Sequence, residues 1–192
     1  MHAVIVLVHP SGVSLTLSVA TGLVEALEAK GHTSEIADLV AERFDPVFGA
    51  ADHARFSARG PLPADVANEQ LRLDRADHLI LVYPVYWWSM PGLLKGWIDR
   101  VFISGWAFDE DTQGRIVKRL GRLKVHLVAI AGASSATYTK RGYRDAMRTQ
   151  IEEGIFDFCG APVISSQVLT CDIAYPASVP LHAAHSLMQR LG

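Results

Sequence analysis

Cysteine is scarce in this chain, with only Cys159 and Cys171 among 192 residues. Without a C-x-x-C spacing they make no disulfide framework, and the expectation is a reduced, partly buried pair. A bulk charge of one sign is also missing. Eighteen basic residues against twenty acidic ones leave a formal charge of −2, which argues against a nucleic-acid or membrane-surface partner recruited by overall charge. No apolar run approaches the length of a membrane span. The opening Met1-His2-Ala3 leads into six apolar residues with no basic segment before them, so neither a leader nor membrane insertion is expected. A soluble, cytoplasmic protein is the expectation. Internal repeats and low-complexity tracts are absent as well.

What is present is a core-rich chain, 49% hydrophobic and long enough to bury about two-thirds of its unfolded surface as one domain. Ala3-Val4-Ile5-Val6-Leu7-Val8 is apolar without alternation, as in a strand covered on both faces. Leu17, Ala20, Val24 and Leu27 then step by three or four, predicting a helix that stops before Gly31. Further strands are predicted at 33–37, 78–83, 124–131 and 163–169, with helices at 65–77, 91–102, 143–158 and 176–191. Residues 41–63, rich in Pro and Gly, read as a long surface loop, functional or mobile. Five alternations of strand and helix imply an α/β, flavodoxin-like three-layer sandwich, whose five-stranded parallel sheet has the order 2-1-3-4-5.

In such sheets ligands bind beyond the carboxyl ends of the strands, near the switch point in strand order. Three unusual loops fall there. His9-Pro10-Ser11-Gly12-Val13-Ser14-Leu15-Thr16 is neither G-x-G-x-x-G nor a Walker A loop. It offers hydroxyls and an imidazole at a helix N-terminus, where a phosphate fits and where simple Ser capping is the alternative. Tyr83-Pro84-Val85-Tyr86-Trp87-Trp88-Ser89-Met90-Pro91 sets three adjacent aromatics just past a buried strand. That suits a flat apolar ligand, unless the tryptophans merely pack beneath the next helix. Ala131-Gly132-Ala133-Ser134-Ser135-Ala136-Thr137-Tyr138 lets backbone approach a ligand closely and ends in a phenol able to donate to developing negative charge. A flavin needs these three things: a phosphate seat, a face for its ring and donors for its polar edge.

From Tyr83 to Phe102, and on through Gly105-Trp106-Ala107-Phe108, the chain resembles the flavodoxin-like NAD(P)H:quinone oxidoreductases. That is the family of DT-diaphorase, modulators of drug activity and ancillary subunits of potassium efflux systems. Weaker matches run from His9 to Asp38, through Glu69-Gln70 and Ala76-Asp77, and from Cys159-Gly160 to Leu191. The resemblance implies a flavin, FAD or FMN, reduced by NADPH or NADH. It implies His9, Ser14 and Thr16 on the phosphates, and Pro84, Val85, Tyr86, Trp87 and Trp88 around the ring. Gly132 and Ala133 would lie beside the ring's edge, with Tyr138 as the active-site tyrosine. An ungapped reading puts Arg144 where the family has a catalytic histidine, as a cation for the reduced flavin's charge, with neighbouring Tyr143 as the alternative replacement beside Tyr138. Leu15-Thr16 and Ile130-Ala131-Gly132-Ala133 depart from the Phe-Asn and Thr-Thr-Gly-Gly that the family often carries.

The implied activity is ping-pong transfer of two electrons to quinone-like acceptors, with azo and nitro compounds as further acceptors. The implied assembly is a homodimer with the site at its interface. The alternative is a flavin-binding subunit that docks on a transporter. Outside these loops, His182 and His185 read as surface residues of a helix, His126 as a satisfied structural histidine, and Arg115 to Lys124 as a basic solvated linker. Gly92 and Gly96 suggest close packing of their helix against the sheet or a partner.

Overall fold

The computed structural model describes residues 1–57 and 60–170. The expected helix at 176–191, the His182/His185 pair and Cys171 lie outside the described residues. Within them the chain forms β1 (His2–Leu7), α1 (Leu15–Glu28), β2 (Thr33–Asp38), α2 (Ala50–Phe56), α3 (Ala64–Asp74), β3 (His78–Pro84) and α4 (Gly92–Val101). A short hairpin follows, β4 (Phe108–Glu110) and β5 (Ile116–Lys118), then β6 (Lys124–Ile130), α5 (Ser135–Arg141) and α6 (Tyr143–Met147). A π-helical segment, Arg148–Asp157, leads to β7 (Val163–Leu169).

The main sheet is parallel throughout, in the order β2-β1-β3-β6-β7. This is the expected flavodoxin-like order. The unbroken apolar run of β1 has the expected cause: Ala3, Ile5 and Leu7 enter the core beneath α1, while Val4, Val6 and Val8 enter the core on the other face. Each large side chain so buried contributes about 1.5–3 kcal/mol of transfer free energy. Cys159 is buried on the second of these faces, and burial pushes its thiol up to about 11. His126 is a satisfied structural histidine. It lies between His78, with Nδ1 to Nε2 at 2.9 Å, and the Ser165 hydroxyl, also at 2.9 Å.

Four expectations change. The stretch 41–63 holds a helix, α2, where a loop is expected. Its Asp52 accepts from the Gly49 amide at 2.9 Å and pairs with buried Arg100 of α4 at 2.9 Å. Arg100 also reaches the Asp45 carbonyl and the Asp65 carboxylate, so one guanidinium ties this stretch to α4 and to the start of α3. Gly96 serves that same contact. A Cβ there would fall 2.8 Å from the Pro46 Cα, whereas one at Gly92 would meet nothing within 4 Å. At Gly96 the close approach is to the 41–63 stretch rather than to the sheet.

The basic stretch from Arg115 is, in part, the strand β5 of a hairpin rather than a linker. Four of its five cations are paired, Arg115 with Asp111, Lys118 with Asp157, Arg119 with Asp109 and Arg122 with Asp74, while Lys124 begins β6. Finally, the helix expected over 143–158 is α-helical only through Met147 before it widens to π geometry. Such widening recurs at functional sites.

Candidate active site

The ends of β1, β3 and β6 lie side by side, so the three loops leave the same edge of the sheet. Val8 N–H donates to the Val82 carbonyl at 3.3 Å, and Val85 N–H to that of Ile130 at 2.8 Å. Each loop is then shaped by its own local chemistry.

In the first loop, Ser14 caps α1, its hydroxyl accepting from the Leu17 amide at 3.1 Å. The Ser11 amide donates to His9 Nδ1 at 3.1 Å, folding the loop back on the imidazole. Thr16 is buried in the first turn, while residues 10–13 are exposed. A Cβ at Gly12 would meet nothing within 4 Å, so the loop's backbone is open to an anion at the end of a fourteen-residue helix.

The second loop is a tight two-residue turn. Tyr86 and Ser89 exchange both backbone hydrogen bonds at 3.1 Å, leaving Trp87 and Trp88 as the central residues. Both take positive φ, 48° and 63°, as a type I′ turn demands, and that turn normally recruits Asn and Gly. Holding a bulky residue there costs about 1–3 kcal/mol. Among the described residues the strain at Trp87 has no packing to offset it, since the residue is 91% exposed. Trp88 instead stacks face to face on Tyr143, with centroids 3.8 Å apart and planes at 12°. It also meets Tyr138 edge-on at 5.5 Å. Ser89 donates to the Gln150 side-chain oxygen at 2.6 Å, fastening the turn to the π-helical segment.

The third loop runs into α5, capped by Ser134. Tyr138 therefore stands on a helix rather than in a loop, and is buried. Gly132 is exposed, and a Cβ there would meet nothing within 4 Å.

Val85, Trp87, Trp88, Gly132, Ala133 and Tyr138 line one open cavity of about 170 Å³. Five residues from two loops and Tyr138 from α5 thus meet at one cavity. Pro84 ends β3 behind them, and exposed Tyr86 opens the turn. Arg144 is not brought to this cavity. It lines a different one of about 270 Å³ under β6 and β7, and Tyr143 takes the place beside Trp88. Of the two residues weighed for the place of the family histidine, Tyr143 is the one beside Trp88 and Tyr138; Gln150 was missed, since its role depends on where the π-helical segment passes and no motif marks it.

A protein-family model described as the flavodoxin-like fold matches residues 1–189. Ribosyldihydronicotinamide dehydrogenase [quinone] of Pongo abelii is 30% identical over 185 residues, 85% of this chain and 79% of that protein. The chain belongs to the flavodoxin-like NAD(P)H:quinone oxidoreductase family. NAD(P)H dehydrogenase [quinone] 1 of Cavia porcellus is likewise 30% identical, over 87% of this chain and 67% of its own. Among solved structures, an NAD(P)H:quinone oxidoreductase from Methanothermobacter marburgensis superposes with a TM-score of 0.90 at 27% identity. It covers all of this chain and 99% of its own. Members of this family share the sheet order seen here, and the cavity lies at the edge where that fold binds ligands. Among the described residues, no helix is long and apolar enough to cross a membrane.

Proposed function

We propose that this family member is an NAD(P)H-dependent flavin oxidoreductase that passes two electrons to quinone-like acceptors. The observation that carries the reading is the exposed, strained Trp87-Trp88 turn facing Gly132 and Tyr138 across one cavity. A turn that holds bulky side chains at positive φ, with one ring left in solvent, is understood if a flat ligand lies against it.

The residues fit a flavin. The open backbone of residues 10–13 at the start of α1 would receive its phosphate, with His9, Ser14 and Thr16 around that seat. Trp87 and Trp88 would face the ring, and the open backbone at Gly132 and Ala133 would allow its polar edge to come close. Bound there, the flavin supplies the capacity to accept a hydride and release two electrons. The chain's own work is placement. Trp88, held by Tyr143, presents a fixed aromatic face, and the stacked rings keep water from it. The Tyr138 hydroxyl lies in the cavity wall, where a donor favours a group that gains negative charge.

The cavity is open to solvent, and we read its open side as the place of both nicotinamide and acceptor, entering in turn. A second copy of the chain would close it, giving a homodimer with shared sites. Parallel lines in a double-reciprocal analysis are the expected steady-state pattern, and intersecting lines would overturn the alternating order. The first test is the visible spectrum of the purified protein. A flavin spectrum that bleaches anaerobically with NADPH or NADH and returns with a benzoquinone is expected. A chain that stays colourless after incubation with FMN and with FAD refutes the reading.

A further inference from the structure

Behind the redox cavity lies the second one, between the sheet face of β3, β6 and β7 and the α6 and π-helical segments. At about 270 Å³ it lies just under the range of drug-sized pockets, about 300–1,000 Å³, and so suits a ligand of one ring. Its walls are a sheet on one side and helical segments on the other, a slot that favours a flat molecule. Leu127, Met147, Ile151 and Val168 give it an apolar lining.

The polar groups in it are unusual because they are unused. Tyr83 is 1% exposed, yet its hydroxyl has no hydrogen-bond partner among the described residues. A ligand polar atom entering the cavity could therefore bond this hydroxyl without displacing a partner from the protein. At the rim, Arg144 has no carboxylate partner among the described residues, whereas its neighbour Arg148 is paired with Glu153 at 3.0 Å. Glu152, half-buried in the same wall, makes no ion pair among the described residues.

We propose that this cavity is a binding site for a small aromatic carboxylate carrying a ring hydroxyl, of the hydroxybenzoate class. The carboxylate takes the Arg144 guanidinium, which can hold it with two parallel hydrogen bonds. The ring lies among the apolar side chains, and the ring hydroxyl donates to Glu152 or accepts from Tyr83. A phosphate matches less well, because its second negative charge would face Glu152 with one unengaged cation to offset it.

The test is calorimetric titration of the full chain, as purified, with 4-hydroxybenzoate, benzoate and inorganic phosphate. Its readout is binding, so it stands whether or not the chain proves to be a redox enzyme. Saturable binding of 4-hydroxybenzoate, tighter than benzoate and not displaced by phosphate, is expected. Arg144→Gln should weaken it by about tenfold or more, as loss of a charge-assisted pair does. Tyr83→Phe should cost about three- to tenfold for 4-hydroxybenzoate and spare benzoate. Trp87→Gly, at the other cavity, should leave both unchanged. Nuclear Overhauser contacts from the ring protons to the Ile151 and Val168 methyls test the location without any variant. The proposal fails if no saturable heat is seen, if Arg144→Gln binds as well as the parent, if phosphate competes equally, or if Trp87→Gly abolishes binding.

Discussion

At the scale of single residues, Tyr138 is the side chain on which most of the proposed chemistry turns. It is buried, edge-on to Trp88 and part of the cavity wall. Tyr138→Phe keeps the ring and its packing and removes one hydroxyl. The fold should be unaffected while hydride transfer from NADPH, or the reoxidation that follows, slows by about tenfold or more. Stopped-flow absorbance of the two half-reactions separates these, and unchanged rates in both would remove Tyr138 from the chemistry. Its place was legible in the sequence because a phenol ended a small-residue loop after a buried strand. Tyr143 was legible only as the alternative to Arg144. It is one tyrosine among five, and only the path of α6 lays it on Trp88 at 3.8 Å.

At the scale of elements, the turn between β3 and α4 sets stability against function. Trp87 pays a left-handed backbone penalty and, at 91% exposure, regains nothing from packing. Trp87→Gly should therefore stabilise the free protein by about 1 kcal/mol, since glycine adopts positive φ without strain. The same change should weaken flavin or acceptor binding by removing an aromatic face. Thermal melting and flavin titration on one preparation check both signs, and a destabilised variant would mean that Trp87 is held by contacts outside the described residues. Neighbouring α2 shows a limit of local reading. Its seven residues are too few to form a helix by propensity, and Arg100 from α4 helps to hold them through Asp52.

At the scale of the whole molecule, the opposite edge of the sheet carries a titration. Burial, then His78 and Lys124, lower the pKa of His126 from 6.5 to about 4. Burial lowers His78 as well. The folded protein therefore keeps these rings neutral where the unfolded chain takes up protons. Stability is complete above about pH 6.5 and declines as pH falls toward 4. Glu69 acts in the other sense, because burial raises its pKa and the folded form holds its proton longer. Melting temperature should thus drop on the order of several degrees across that window. His126→Gln should flatten the profile relative to the parent, and an equally steep profile would assign the loss elsewhere.

The sequence by itself determined the layered architecture, because burial on both faces leaves an uninterrupted apolar run and helices leave a period near four. It also marked the edge that carries the site, because three adjacent aromatics follow a buried strand in a turn, where a solvated loop has little use for them. The tertiary structure decided what depends on partners distant in the chain. It placed Arg144 in a second cavity and Tyr143 beside Trp88, and it tied the 41–63 stretch to Arg100 and Gly96. Periodicity records which way a side chain faces; it carries no record of which distant residue waits there.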